Sequence, residues 1–396
     1  MRLTRVLLCL LPVLLVACST VKVSSHGPGT DVEQAPVRSD QAATDVFPEA
    51  DRDGYRPPAR VALVLPMGGS LAAPAAAVRD GFLAAYYGET RRRPLVKFYD
   101  SQGTGAGAVA AVAKARAEGA QMVIGPLTRD EVNAVSASAD GSFPIIALNR
   151  ASAAPPKGTT SFALTPDDEG SALSNRLLER GLKHALVFSN GSDNANRAVA
   201  AFREALAKHG GSVLEVIAVS GETANLSQKL AGLRAAATPP QAVLLALDAG
   251  QSRGIAAQLR SSALADLPRV ATSQILSGAN AKSDVELDGI EYPESPWLLD
   301  QNNDLPEADA LARSLPSARG PSQRLFAFGS DAWKLCAWFD LLYSQPGASV
   351  AGATGRLSID VSGPVRRTPA WAVFVGGRGR PAATSAPAAH GLPATR

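Results

Sequence analysis

Hydrophobic positions along this chain fall into short strand-like runs that alternate with helix-like stripes. Val61–Leu65 is a continuous apolar run, too short for a helix and partly β-branched, which is typical of a strand covered on both faces. Pro66 ends the run, Gly68–Ser70 forms a turn, and a helix-period apolar stripe follows. A strand, a glycine-rich turn and a helix open a doubly wound α/β fold, which binds ligands beyond the carboxyl ends of its strands.

The alternation of strands and helices continues through two successive series of similar size. This pattern predicts two lobes with parallel sheets and right-handed crossovers. Further strands are predicted at Leu95–Tyr99, Met122–Ile124, Ile145–Leu148, Ser161–Leu164, Ala185–Phe188, Val213–Val219, Ala242–Leu247 and near Val270. After Gln274 the pattern is irregular up to a long helix, Phe328–Tyr343, and two strand-like runs, Arg356–Asp360 and Ala370–Val375. We therefore predict a folded region 60–377, with a first lobe mainly in 60–160, a second mainly in 161–272, and 273–377 completing both around a hinge.

The first 17 residues have the pattern of an export signal. Arg2 and Arg5 precede an apolar run too short to span a bilayer, and Leu15-Val-Ala-Cys18 matches the bacterial lipobox. We expect Cys18 to be the first mature residue and to carry a lipid anchor. The alternative is an ordinary signal peptide with an incidental cysteine. Ser19, in place of an aspartate, favours the periplasmic face of the outer membrane.

Two segments outside the folded region have the composition of flexible chain. Residues 18–59 are rich in Ser, Pro, Asp and Ala without sustained apolar periodicity, which predicts a tether. Residues 378–396 are rich in Pro and Ala and predict a disordered tail.

Charge and cysteine content narrow the function classes. The formal net charge is +3 and no basic stripe is present, so a nucleic-acid partner is not expected. Cys9 is lost with the signal and Cys18 is lipidated, which leaves Cys336 without an intramolecular partner. Because Cys336 lies in a strongly apolar helix, we expect a buried structural thiol and not a reactive one.

The sequence gives no support for catalysis, a metal or a cofactor. There is no G-x-S-x-G motif, and the S-x-x-K match, Ser19 to Lys22, lies in the tether. The four histidines, His26, His184, His209 and His390, lack metal-ligand spacing. Gly103–Ala108 loosely matches a dinucleotide-binding turn, but the acidic residue expected after the next strand is absent.

Glycines and polar residues at the strand ends are the candidate cleft residues, because these ends should face the other lobe. The candidates are Gly68, Gly69, Ser70, Asp100, Ser101, Gly125, Thr128 and Asn149 in the first lobe, and Asn190 and Asp248 in the second. Either ligand contact or hydrogen bonding between the lobes would explain them. Thr128 could help to hold an anion, but with Glu131 it also fits a capping box. Asp167, Asp168 and Glu169 follow Thr165 and Pro166 as the first turn of a helix, and we expect them to be structural.

Several local motifs together resemble the LppC family. The segments that carry the resemblance are Arg60–Gly69, Arg79-Asp-Gly-Phe-Leu-Ala-Ala-Tyr86, Tyr99-Asp100, Val123-Ile-Gly-Pro-Leu127, Leu148-Asn149, Leu164-Thr-Pro-Asp-Asp-Glu169, Leu287-Asp-Gly-Ile290, Pro296-Trp-Leu-Leu299 and Thr354-Gly-Arg-Leu-Ser358. The resemblance covers roughly Arg60 to Val375 and implies a type 1 periplasmic-binding-protein-like fold. Longer members carry an N-terminal helical-repeat domain, whereas this chain has the tether there.

The resemblance implies a non-catalytic outer-membrane lipoprotein that binds and activates a class A penicillin-binding protein, through a contact that lies in the C-terminal domain of its relatives. This would make the protein a regulator of peptidoglycan synthesis. The alternative is a periplasmic solute receptor whose cleft binds an amino acid or small peptide. The two hypotheses are compatible if a ligand regulates partner binding.

Overall fold

The computed structural model describes residues 49–154, 156–220, 226–276, 281–302, 304–359 and 363–383. The predicted signal peptide, Cys18 and most of the predicted tether lie outside the described residues. Among the helices that are described, none combines the length and the apolar character needed to cross a bilayer.

The first sheet has five parallel strands in the order β2-β1-β3-β4-β5. Its elements in chain order are β1 (Arg60–Leu65), α1 (Ala72–Gly88), β2 (Leu95–Asp100), α2 (Gly105–Ala117), β3 (Met122–Ile124), α3 (Arg129–Ser138), β4 (Ile145–Ala147) and β5 (Thr159–Ser161). Val61, Leu63 and Leu65 face one core and Ala62 and Val64 face another. The continuous apolar run of β1 is explained by this cover on both faces, as the sequence predicts.

The second sheet has seven strands in the order β15-β14-β10-β9-β8-β6-β7. Its first part contains α4 (Pro166–Leu178), β6 (His184–Ser189), α5 (Asp193–Lys208), β7 (Ser212–Ala218), α6 (Ser227–Arg234), β8 (Ala242–Ala246), α7 (Ala249–Arg260), β9 (Arg269–Ala271), α8 (Ala281–Asp284) and β10 (Ile290–Glu294). The strands β7, β6, β8, β9 and β10 are parallel to one another. Alternate side chains of β6 and β8 face two separate cores, so this sheet is also covered on both faces.

The remaining elements complete both sheets. They are α9 (Ala308–Ser314), α10 (Ser322–Ala337), α11 (Phe339–Ser344), β11 (Val350–Ala351), β12 (Arg356–Ile359), β13 (Val365–Thr368), β14 (Ala370–Val375) and β15 (Arg378–Pro381). Large side chains of α10 join the core of the first sheet, and β11–β13 form a small antiparallel sheet whose apolar residues join the same core. β14 and β15 add antiparallel strands to the second sheet. The predicted two-sheet α/β class is confirmed.

Within the described residues the chain passes between the two main sheets three times. The first crossing lies between β5 and α4, the second between β10 and α10, and the third between β13 and β14. We call these three crossings the hinge region.

Helices α1 and α10 approach so closely that each needs a glycine at the contact. A Cβ added to Gly81 would lie 1.8 Å from the carbonyl oxygen of Phe326, and one added to Gly329 would lie 1.9 Å from that of Val78. Phe82 and Trp333 pack edge to face beside this contact, with ring centroids 5.7 Å apart. The two glycines therefore bring α10, which follows the second crossing, onto the first sheet.

Several element predictions were wrong. The strand predicted at Ser161–Leu164 is Thr159–Ser161, because the residues after Ser161 already belong to the first crossing. The predicted helix Phe328–Tyr343 begins earlier, at Ser322, and is interrupted at Trp338, whose φ of −113° and ψ of 19° lie outside the helical region and separate α10 from α11. The irregular stretch after Gln274 contains β10, which pairs with both β9 and β14. β13, which the sequence pattern missed, pairs with β12.

Order extends beyond both predicted ends of the folded region. Tyr55, placed in the tether by its sequence, is fully buried, stacks edge to face on Trp338 and donates a hydrogen bond to the carbonyl oxygen of Arg92 at 2.6 Å. At the other end, Arg378–Pro381 forms β15 because its backbone pairs with β14. Residues 384–396 of the predicted tail lie outside the described residues.

Candidate functional site

The turn after β1 lies at the carboxyl edge of the first sheet, where the sequence predicts a site. Gly68, Gly69 and Ser70 are all exposed there, and Gly69 has a φ of +69°, which favours glycine. Asp100, at the end of β2, holds this turn: its Oδ1 accepts hydrogen bonds from the backbone N–H of Met67 at 2.9 Å and of Gln102 at 2.8 Å. The Asp100 carboxylate therefore orders two neighbouring loops.

Ser101 points into the lobe and not into the cleft. Its side chain is fully buried, and its hydroxyl donates to Oε1 of Glu131 at 2.5 Å. Glu131 is also fully buried, and its Oε2 accepts from the backbone N–H of Thr128 at 2.9 Å. The Thr128–Glu131 capping box that the sequence suggested is present at the start of α3. Ser101 is thus a partner of a buried carboxylate.

The remaining first-lobe candidates fix the loops after β3 and β4. A Cβ on Gly125 would lie 2.0 Å from the carbonyl oxygen of Val64, so only glycine fits between these strands. Asn149 donates from Nδ2 to the carbonyl oxygen of Leu127 at 3.0 Å, which ties the loop after β4 to the loop after β3. Thr128 and Asn149 also line a cavity of about 320 Å³, whose other walls include Leu127, Leu148 and Phe328.

The two second-lobe candidates are brought together through Gln251. Asp248 is the N-cap of α7 and accepts from the backbone N–H of Gln251 at 2.9 Å. Asn190 donates from Nδ2 to Oε1 of the same glutamine at 3.1 Å. Five of the candidate side chains thus make hydrogen bonds within their own lobe: Asp100, Ser101, Asn149, Asn190 and Asp248. Ligand contact by these residues stays a prediction.

Replacing Ser101 by alanine separates a structural role from a ligand-binding one. Ser101→Ala leaves Oε1 of the buried Glu131 without its hydroxyl donor, and we expect the free energy of unfolding to fall by about 2 kcal/mol. Denaturant melts of the wild type and variant measure the change. Ser70→Ala, at the exposed turn nearby, is the matched control and should change stability by less than about 0.5 kcal/mol. A Ser101→Ala protein as stable as the control would contradict the structural role.

A second cavity, of about 220 Å³, lies beside the crossings, and the sequence did not predict it. We call it the hinge pocket. Its walls include Thr165 and Glu169 at the start of α4, Thr272 and Gln274 after β9, Arg324 on α10 and Arg367 on β13. Leu164 and Asn194 are exposed and lie at its mouth. The pocket is therefore lined by residues of the first and second crossings and by Arg367, on the strand that precedes the third.

The charged side chains of the hinge pocket are held by hydrogen bonds. Arg324 forms a two-point ion pair with Glu294, with Nε–Oε1 at 3.1 Å and Nη2–Oε2 at 2.5 Å. Glu169 accepts from the backbone N–H of Ser273 at 2.6 Å, and burial raises the pKa of its carboxyl group. Arg367 donates from Nη1 to the carbonyl oxygen of Thr354 at 3.0 Å, and burial lowers the pKa of its guanidinium group.

A buried carboxylate on α10 anchors the loop that supports Arg367. Asp331 is fully buried, and its Oδ1 accepts from the backbone N–H of Ala353 at 2.5 Å. Its Oδ2 accepts from both the backbone N–H and the hydroxyl of Thr354, at 2.8 Å and 2.5 Å. Sequence analysis missed this residue, although a signal was present: Asp331 lies three residues after Phe328 and four before Leu335 in an apolar helix, which places it on the buried face.

The structure accounts for the residues that could have carried other chemistry. Cys336 is a buried free thiol, and burial raises its pKa, which matches the predicted structural thiol. Thr165 caps α4 with Pro166 at its first position, as expected. In the part of the chain that the structure describes, no group of three or more His, Cys, Asp or Glu side chains could hold a metal ion.

A family model and curated relatives both match most of this chain. A family model described as "LppC putative lipoprotein" matches residues 54–377. A curated relative, the penicillin-binding protein activator LpoA of Photobacterium profundum, is 28% identical over 355 residues, covering 82% of this chain and 57% of the relative. This chain therefore spans a little over half the length of that relative, and the curated relatives are named as activators and not as enzymes.

Solved structures support the same fold. The C-domain of LpoA (YraM) from Haemophilus influenzae, named as a regulator of PBP1A, matches with a TM-score of 0.70 at 21% identity and covers 82% of this chain and all of that domain. A structure from Chromobacterium violaceum that carries a branched-chain amino acid ABC transporter name matches with a TM-score of 0.64 at 26% identity, covering 80% of this chain and 99% of that one. The fold is thus that of type 1 periplasmic binding proteins.

Proposed function

Because this chain belongs to the LppC family of lipoproteins, we propose that it binds and activates a class A penicillin-binding protein, a peptidoglycan synthase. The observation that carries the proposal is the family match over 54–377, which includes the hinge region and every strand of both main sheets except the edge strand β15. The relatives that share this region are named penicillin-binding protein activators. Since those relatives are longer, the proposal assigns the synthase contact to the part that this chain has in common with the LpoA C-domain.

The mode of action that we propose is binding without catalysis. An activator of this kind binds a competent conformation of the synthase more tightly than other conformations, and so shifts the synthase population toward the competent one. A lipid on Cys18 would hold the protein at the periplasmic face of the outer membrane, and the segment before Tyr55 would let the folded region reach away from that anchor.

The geometry of the strand ends supports a protein partner over a cleft ligand bound by those strand ends. The side chains of Asp100, Asn149 and Asp248 are engaged in hydrogen bonds that order their own loops. A solute receptor that used them would bind its ligand with side chains that already order these loops. Synthase activation through the outer surface of the lobes makes no such demand.

A binding assay tests the proposal. The mature chain, without its lipid, is immobilised, and the periplasmic regions of class A synthases from the same cell are passed over it. We expect saturable binding to at least one of them. The heat-unfolded chain should not bind, because the contact is assigned to the folded region. The absence of binding to every class A synthase would contradict the proposal.

A further inference from the structure

Strand β2 forms an open edge of the first sheet. It pairs with β1 along one side, and no strand among the described residues pairs with its other side. The backbone N–H groups of Leu95 and Ser101 bond to the β1 side. Because backbone groups of successive residues in a strand point to opposite sides, those of Val96, Phe98 and Asp100 point outward, where a further strand can pair with them.

Two large apolar side chains lie exposed on this open edge. Leu95 is 60% exposed and Phe98 is 41% exposed. Side chains alternate along a strand, so Leu95 lies on the same face as Tyr99, which packs in the core beneath α2. Phe98 lies on the opposite face, and a cavity of about 250 Å³ is open beside Leu95. A strand added to this edge would therefore find an apolar neighbour on both faces of the sheet.

The other three edges of the two main sheets offer less apolar surface. β15 carries Arg378, Arg380 and Pro381, and charges and proline are common means of preventing an edge from pairing with another chain. β5 is buried along its whole length. β7 exposes one large apolar residue, Val216. Among these edges, β2 is thus the one best suited to pairing with another chain.

The charges beside β2 indicate what pairs with it. Nζ of Lys97 lies 3.4 Å from Oε2 of Glu118, and the hydroxyl of Tyr99 donates to the same oxygen at 2.8 Å. In an antiparallel pair of two copies with Phe98 opposite Phe98, Lys97 lies opposite Tyr99 of the second copy. Lys97 then lies beside the second copy's Glu118, and the reverse contact forms by symmetry. The edge is therefore complementary in charge to itself.

We propose that two copies of this chain pair antiparallel through β2, with Phe98 at the two-fold axis and Lys97 of each copy beside Glu118 of the other. The pairing joins the two first-lobe sheets into one continuous sheet. Backbone hydrogen bonds then hold the copies together, while the apolar and charged side chains fix the register. The inference does not rest on the proposed function, because it is measured with this chain alone.

Sedimentation velocity of the mature chain, without its lipid, from micromolar to sub-millimolar concentration measures the association. We expect a monomer–dimer equilibrium. Phe98→Ser removes the apolar contact at the two-fold axis and should raise the dissociation constant at least tenfold. Val216→Ser is the matched control, because Val216 is similarly exposed, at 38%, on the edge strand β7 of the other sheet. This control should dimerise like the wild type.

Charge reversal in two separate chains tests the register. Lys97→Glu alone brings carboxylates together across the interface, and Glu118→Lys alone brings ammonium groups together, so each variant should dimerise at least tenfold more weakly than the wild type. An equimolar mixture of the two variants should form a mixed dimer, because each contact across the interface then joins opposite charges. Restored folding of one chain cannot explain a rescue by the other, and thermal melts verify that both variants fold.

Three results would overturn the proposal. The first is a wild-type chain that stays monomeric over the whole concentration range. The second is a dimer whose dissociation constant is the same in Phe98→Ser and in the wild type, since its interface must then lie elsewhere. The third is a mixture of the charge-reversed variants that associates no better than either variant alone. None of these results bears on synthase binding, which is measured separately.

Discussion

Replacing Gly329 by alanine is expected to lower the free energy of unfolding by about 3 kcal/mol or more. The new methyl group would lie 1.9 Å from the carbonyl oxygen of Val78, which is backbone and cannot turn away. Helices α1 and α10 would have to separate, and the core side chains beside the contact, Phe82 and Trp333, would lose their packing. A thermal melt should show a decrease of roughly 5–10 °C for a change of this size.

Gly232→Ala is the matched control for this prediction. Gly232 lies within α6, and a Cβ at this position meets no neighbouring heavy atom within 4 Å. Alanine is the better helix former, so this variant should gain about 0.5–1 kcal/mol. Equal stability of Gly329→Ala and the wild type would show that the helices do not need their close approach.

Replacing Asp331 by asparagine is expected to cost about 3 kcal/mol of stability at neutral pH. Both carboxylate oxygens of Asp331 accept hydrogen bonds, from the backbone N–H groups of Ala353 and Thr354 and from the Thr354 hydroxyl. Asparagine offers one acceptor oxygen, and its NH₂ group would face a second N–H donor across a buried contact. Denaturant melts check the loss. Asp340→Asn is the control, because Asp340 is half exposed and its ion pair with Arg56 is worth no more than about 1 kcal/mol.

The same variant should change how stability depends on pH. Burial raises the pKa of Asp331 from its ordinary value of 3.8 to about 6. The folded protein therefore binds this proton more tightly than the unfolded chain, so the stability contributed by this group is present at low pH and is lost as pH rises through about 6. Between pH 7 and pH 5 the stability difference between wild type and Asp331→Asn should grow by about 1 kcal/mol. A difference that stays constant or shrinks would contradict the raised pKa.

Sequence patterns were sufficient to predict those elements whose own residues indicate burial or helix capping. β1 and β8 are continuous apolar runs because both of their faces are covered, and Thr165 with Pro166 marks the start of α4 by its own chemistry. β10 was missed for the opposite reason. Its sequence contains Pro293 and two glutamates, and it becomes a strand only through pairing with β9 and β14, while Arg324 neutralises its buried Glu294.

The strand ends were located correctly in the chain, but the contacts of their side chains could not be deduced. A strand-end position says where Asp100 or Asn190 lies in the sheet, whereas their hydrogen-bond partners, Met67 and Gln251, follow from loop conformation. The hinge pocket was beyond sequence analysis because Thr272, Arg324 and Arg367 are far apart in the chain and meet only after the three crossings form. Gly329 and Asp331 both lie on α10, and their roles depend on what packs against that helix. Gly329 faces α1, and Asp331 binds the loop that contains Thr354.

The rate of peptidoglycan synthesis by a class A synthase, with and without the mature chain, tests the central claim most directly. Glycan-chain polymerisation and peptide cross-linking are followed with purified synthase and its lipid-linked precursor, and this chain is added in increasing amounts. We expect a saturable rise in at least one of the two rates, with no product formed by this chain alone. Unchanged rates at saturating concentrations for every class A synthase of the same cell would contradict it.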